Sequence, residues 1–85
     1  MDLQRVKSSN IEAVGHEGEM LVVRFRGGAT YEYEAVPAAV ADELLRSKSV
    51  GSAFDRLVRK ASYKYRKVPP EEAKGHAIIV EPEPS

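Results

Sequence analysis

The chain has no cysteine and no tryptophan, and only two histidines and two phenylalanines. Without cysteine, neither a disulfide framework nor a thiolate metal site can form. His16 and His76 stand far apart in the sequence. His16 has Glu17 and Glu19 beside it, but no ligand spacing in the chain follows a zinc pattern, so no metal and no cofactor is expected. There is no apolar run of the roughly 18–20 residues that cross a bilayer. The first ten residues, MDLQRVKSSN, lack the apolar centre of a secretory signal. The expectation is a cytoplasmic protein with no membrane partner. A charge excess is missing too: 13 basic side chains face 13 acidic ones, so the chain as a whole is no polycation.

What remains is ordinary for a globular domain. In 85 residues, 42% are hydrophobic and 31% charged, which suits one domain with a small continuous core. The zero net charge hides segregation along the chain. Arg56, Arg59, Lys60, Lys64, Arg66 and Lys67 follow one another with Asp55 as the only acid among them, and Glu71, Glu72, Glu81 and Glu83 come after.

Alternation of apolar and polar residues predicts three strands: a short one at 11–15, a second at 20–26 and a third at 30–36. Leu21, Val23 and Phe25 share one face of the second. Tyr31, Tyr33 and Ala35 share one face of the third, with Glu32 and Glu34 on the other. Keeping apolar faces together favours a three-residue loop at Gly27-Gly28-Ala29, which sets Phe25 opposite Tyr31 and Val23 opposite Tyr33. The same test favours Glu17-Gly18-Glu19 for the first hairpin, with Ile11 opposite Phe25 and Ala13 opposite Val23. Glu12, Arg24 and Glu32 then form a row on the outer face.

Pro37 ends the third strand and opens a helix over 38–46, whose buried stripe is Val40, Ala41, Leu44 and Leu45. Ser47-Lys48-Ser49 breaks it. A second helix, capped by Ser49 or Ser52, carries Val50, Phe54, Leu57, Val58 and Ala61 on one stripe, with Arg56, Arg59 and Lys60 off it. Gly51 in its first turn costs helix propensity and allows close packing onto the sheet or the first helix. Residues 63–68 alternate aromatic and basic and can add a short fourth strand at the sheet edge. Residues 69–85 hold four of the five prolines and read as a flexible Pro/Glu-rich tail, except for the β-prone 77–80, which can dock on an open edge. The fold class is therefore α+β: a three-stranded antiparallel meander followed by two helices packed on one sheet face. The expected core is Ile11, Leu21, Val23, Phe25, Tyr33, Val40, Leu44, Phe54, Leu57 and Val58.

One ordered set of short motifs is more specific than the pattern. Val6-x-Ser8-Ser9-x-Ile11, Val14-Gly15, Val23-x-Phe25-x-x-Gly28-x-x-Tyr31-x-Tyr33-x-x-Val36-Pro37, Ser49-x-Gly51-x-x-Phe54 and Tyr63-x-Tyr65 resemble the KTSC domain. That family is named for a segment at the C-terminus of some lysyl-tRNA synthetases and also occurs as small stand-alone proteins of bacteria and phages. The resemblance covers residues 4–68 and implies a sheet-plus-helices module with a role in RNA binding. The chain departs from the family at His16 and Glu17, where tyrosine and aspartate are common, and at Asp55, where asparagine is common. A ligand or capping role of that asparagine does not carry over.

The residues themselves support two functional readings. Clustered cations neutralise phosphates and interleaved aromatics stack on unpaired bases. Arg56, Arg59, Lys60, Lys64, Arg66 and Lys67, with Tyr63 and Tyr65, are therefore the candidate RNA-binding residues. The plainer reading is a solvated helix face and an edge strand guarded by charge, with the acidic tail as an internal competitor. If residues 63–67 form a strand, its charges and its tyrosines take opposite sides, and one face cannot supply both contacts. The alternative function is protein interaction or self-association through an exposed sheet edge. Ser8-Ser9-Asn10 reads as turn chemistry, Gly27-Gly28 as a hairpin turn, and Tyr31 and Tyr33 as core or semi-core aromatics. No set of acid, base, nucleophile and metal ligand can be assembled, so no enzyme is expected.

Overall fold

A computed structural model describes residues 3–69 together with residues 72, 78 and 79. The alternating segments build its centre. Strands β1 (Leu3–Arg5), β2 (Ile11–Glu17), β3 (Met20–Phe25) and β4 (Thr30–Tyr33) precede helices α1 (Ala38–Arg46) and α2 (Val50–Phe54), which runs on into a π-helical segment, Asp55–Arg59. Strands β5 (Tyr65–Val68) and β6 (Ile78–Ile79) follow. The sheet order is β5-β4-β3-β2-β1-β6. The first five strands are all paired antiparallel, and β6 lies parallel to β1.

The sheet is thus larger than the expected meander with one added strand. Of the segment over 63–68, residues 65–68 form an edge strand. β1 was not expected, because one apolar residue, Leu3, in three residues gives no alternation to read. It forms because β2 offers it a free edge, with Gln4 opposite Val14 and Arg5 opposite Ala13. The docking expected of residues 77–80 occurs through Ile78 and Ile79, opposite Leu3 and Gln4. Residues 77 and 80 lie outside the described residues, as do Glu71, Glu81 and Glu83.

Both hairpins correct the expected registers. Gly27 and Gly28 each sit at φ +99°, a conformation that only glycine adopts without strain. Both must therefore lie inside the turn. The loop is Arg26-Gly27-Gly28, closed by Gly28 N–H donating to Phe25 O (3.0 Å) and Phe25 N–H to Ala29 O (2.8 Å). Val23 then faces Tyr31 and Leu21 faces Tyr33. This is a slip of two residues, which leaves every side chain on its expected face. In the first hairpin Glu17 faces Met20 across a two-residue turn, Gly18-Glu19, with Gly18 at φ +62°. That odd slip would exchange the faces, and a bulge between Ile11 and Ala13 restores Ile11 opposite Phe25. The cost falls on Ala13, which faces Arg24 instead of Val23, while Val14 takes the place opposite Val23. Glu12, Arg24 and Glu32 are not directly opposite one another as expected, since Ala13 and Thr30 face Arg24 and Val22 faces Glu32. Arg24 faces Thr30 and donates Nε–H to its Oγ1 (3.1 Å).

Two apolar clusters result. On the helix side, Ile11, Val14, Leu21, Val23, Tyr33 and Val36 meet Ala41, Leu44, Val50, Ala53, Phe54 and Val58. On the opposite face Leu3, Ala13 and Val22 are buried together, with Met20 against them. Phe25, Val40 and Leu57, expected in the core, are half-buried at its border. Helix α1 has the expected bounds, with Pro37 O accepting from Val40 N–H and Ala41 N–H. Ser49 takes the cap position of α2 without a side-chain hydrogen bond. Ala61, expected on the buried stripe, is exposed, because the helix widens before it. Gly51 makes its close approach to neither the sheet nor α1. A Cβ there would stand 3.2 Å from Ser8 Oγ in the loop between β1 and β2.

Candidate nucleic-acid interface

The widening is where the chemistry gathers. Lys60 N–H donates to Asp55 O at 3.1 Å, a span of five residues that defines a π turn. Val58 is buried by this winding, while Arg56, Arg59 and Lys60 are exposed. Below them lies an open groove of about 1260 Å³ between the π-helical segment and the sheet. Its floor is aromatic. Phe25, Tyr31, Tyr65, Tyr33 and Phe54 form a closed circuit in which each ring lies 5.4–5.9 Å from the next. Four of the five pairs pack edge-on, which suits the ring quadrupoles, and Tyr33–Tyr65 is tilted at 35°. Four members of the circuit are at least half-buried, but Tyr65 is 63% exposed. The Tyr33 phenol is held above its ordinary value of 10.0, first by burial and then by the neighbouring Tyr65 and Tyr31, with Arg59 acting the other way.

The rim is cationic. Among the described residues Lys7, Lys48, Arg56, Arg59 and Lys60 border the groove, with Asp55 as the one acid. Arg59 reaches Asp55 at 3.2 Å and Arg56 reaches Glu43 at 3.9 Å, both on exposed side chains. Pairs of this kind contribute about 0–1 kcal/mol and exchange readily with other anions. Lys7, Lys48 and Lys60 have no ion pair among the described residues.

The eight residues singled out from sequence are therefore divided. Arg56, Arg59, Lys60, Tyr63 and Tyr65 border one groove. Arg66 lies on the other side of the sheet, opposite Glu32, and its NH2 stands 2.8 Å from both Glu32 Oε1 and Glu72 Oε2. The hydrogen bond to Glu72, aided by the charges of both carboxylates, raises its affinity for its proton. Lys67 lies opposite Tyr31 on the tyrosine side of β5, and Lys64 is exposed just before that strand. Neither borders the groove. The expected split of the strand is seen between Tyr65 and Arg66. Exposed cations and an exposed ring nevertheless border one groove, because the helix supplies the cations and β5 the ring. Sequence reasoning missed Lys7, Lys48 and Ser62 as groove residues and read Tyr31 and Tyr33 as core or semi-core aromatics without giving them a groove. Lys7 and Lys48 are isolated in sequence and come together only through the fold.

Ser8 performs the turn chemistry expected of it, its Oγ accepting from Asn10 N–H and Ile11 N–H at 3.2 Å each. His16 is tied at Nε2 to Val36 O at 2.7 Å. Among the described residues no group of three His, Cys, Asp or Glu side chains is placed to hold a metal. No helix among them is long and apolar enough to cross a membrane.

The model of the KTSC domain family matches residues 7–61. A protein of Tsukamurella paurometabola is 44% identical over 59 residues, which span 67% of this chain and 88% of that one. A protein of Stutzerimonas stutzeri is 35% identical over 65 residues, 74% of this chain and 92% of its own length. The crystal structure of a KTSC domain protein from Yersinia pestis matches the fold with a TM-score of 0.72 at 33% identity, over 79% of this chain and 96% of that one.

Proposed function

The chain belongs to the KTSC domain family, and from that premise we propose that it is a non-catalytic RNA-binding module of the cytoplasm that holds its ligand in the groove beneath the π-helical segment. The observation that carries this reading is the cationic rim over an aromatic floor: Arg56, Arg59 and Lys60 stand over the groove that Tyr63 and Tyr65 line. Phosphates are neutralised from the rim, and the local excess of cations steers a polyanion to a molecule whose net charge is zero. Lys64 and Lys67 add to the field from outside the groove. Arg66 contributes least, since Glu32 and Glu72 already hold it.

Titration of labelled RNA with the whole protein at rising salt tests the reading. The logarithm of affinity should fall linearly with the logarithm of salt, by about 0.7 for each phosphate neutralised on a single strand. Arg59→Ala with Lys60→Ala should lower both affinity and slope, whereas Arg66→Ala should leave affinity nearly unchanged. If no RNA is bound at low ionic strength, the proposal is wrong.

A second reading, self-association by strand addition, is favoured by β5. That strand ends the sheet and is exposed at Tyr65, Arg66 and Lys67. Its charges oppose such pairing, so light scattering at rising concentration should return a monomer, and a dimer would revive the reading.

A further inference from the structure

We infer that the groove takes unpaired rather than double-stranded RNA, with one base stacked on the outer face of Tyr65 and the adjoining phosphate held by Arg59 and Lys60. The inference rests on the RNA-binding reading and adds the form of the ligand.

Tyr65 closes the aromatic circuit, yet it is 63% exposed. Its neighbours Tyr31 and Tyr33 fix it from below, at 5.9 and 5.4 Å between ring centres. A ring supported in this way offers a π face already oriented, so a base that stacks on it orders little else. In a duplex every base face is already covered by its neighbours. A duplex could reach the rim cations but could not use the platform.

The groove's dimensions agree. It crosses the sheet from Ile11 on β2 to Tyr65 on β5, about 14 Å at ~4.8 Å per strand. Lys7, Lys48, Arg59 and Lys60 all border it, and Arg59 is near enough to act on the charge of Tyr33, the ring next to Tyr65. A single strand laid along it meets several cations and one exposed ring. The surroundings also fix the ligand's charge. An aromatic platform alone also attracts cations, but the rim, with five cations against Asp55 among the described residues, disfavours a cationic guest. Arg59 must leave Asp55, 3.2 Å away, to grip a phosphate, and an exposed pair releases it at small cost.

The test uses the whole protein, a short labelled RNA strand without self-complementarity, and the same strand annealed to its complement. The single strand should bind at least about tenfold more tightly than the duplex. Tyr65→Ala should lose about tenfold on the single strand, in the range of one stacked base, with no change in salt slope. Tyr65→Phe should restore binding, since it keeps the ring. Arg59→Ala should instead lower the salt slope. The chain has no tryptophan, so its own tyrosine fluorescence reports stacking. Quenching by the single strand should be smaller in Tyr65→Phe than in the natural chain. Equal affinity for strand and duplex, or an unaffected Tyr65→Ala, overturns this inference and leaves the RNA-binding reading in place. Failure of both RNAs to bind overturns that reading and this inference with it.

Discussion

Tyr33 is the residue whose chemistry the fold alters most. It is 8% exposed and belongs at once to the core and to the floor of the groove. Burial and two neighbouring phenols disfavour its ionised form. Below the ordinary phenol value, near 10.0, the ring is neutral in both folded and unfolded chains, and its contribution to stability is complete. As the pH rises through that value the unfolded chain loses its proton first. The unfolded state then binds fewer protons than the folded one, so stability falls until the raised folded value is passed. Urea midpoints measured from neutral pH to above 10 should therefore decline at the alkaline end. Tyr33→Phe should flatten part of that decline, and an identical decline in the variant would mean that Tyr33 titrates as in the unfolded chain. Ala35 and Ser62, at φ 58° and 60°, carry strain of another kind. Glycine is the usual residue in that region, and Ser62 borders the groove.

Among the elements, the loop between β1 and β2 and the first turn of α2 hold each other. Ser8 Oγ serves the backbone N–H groups of Asn10 and Ile11, and the space it needs is the space that Gly51 leaves empty, 3.2 Å from where a Cβ would stand. The two sites should therefore be coupled. Gly51→Ala gains up to ~1 kcal/mol of helix propensity, but in the natural chain the displaced hydroxyl should cancel that gain. Ser8→Ala alone should cost about 1 kcal/mol for the lost hydrogen bonds. In the Ser8→Ala background Gly51→Ala should become stabilising. A denaturant double-mutant cycle reads the difference, and strict additivity would show that the contact has no energetic weight.

This contact also shows how far sequence reaches. Ser8 reads as turn chemistry and Gly51 as a site of close approach, yet only the fold names each as the other's partner. The same holds for the strands. Alternation marks 20–26 and 30–36, of which 20–25 and 30–33 are strand, because Leu21 and Val23 on one and Tyr31 and Tyr33 on the other repeat every second residue on the helix-side face. It fails for β1, where a lone Leu3 sets no period, and it finds β2 but not its register, because a bulge resets the period between Ile11 and Ala13. Gly27 and Gly28 announce a hairpin, but a register error of two residues leaves no trace in the pattern of faces. The basic run is equally plain in sequence as a cluster. Its division between groove and far face depends on the strand parity of Tyr65 and Arg66 and on a π turn that no periodicity foretells. Lys7 and Lys48, far from the run, join the rim only through the fold.

At the scale of the molecule the question is what guards the sheet's two edges. β5 guards one by charge, through Arg66 and Lys67. The other would belong to β1, three residues with Gln4 and Arg5 exposed and Leu3 buried beside Ala13 and Val22. The chain covers that edge itself, with Ile78–Ile79 lying parallel to Leu3 and Gln4. Two residues of parallel ladder make a weak bond, so its value lies in occupancy: while β6 is in place, no other strand can pair there. Ending the chain after residue 77 should uncover the edge and leave Arg66 with Glu72 undisturbed. Amides of β1 should then exchange faster with solvent, and light scattering should show association growing with concentration, where the full chain stays monomeric. The aggregate should form through β1 rather than the charged β5, so a proline at Gln4 in the shortened chain should suppress it. Shortened protein that stays monomeric, with β1 exchange unchanged, would mean that charge and brevity protect the edge without β6.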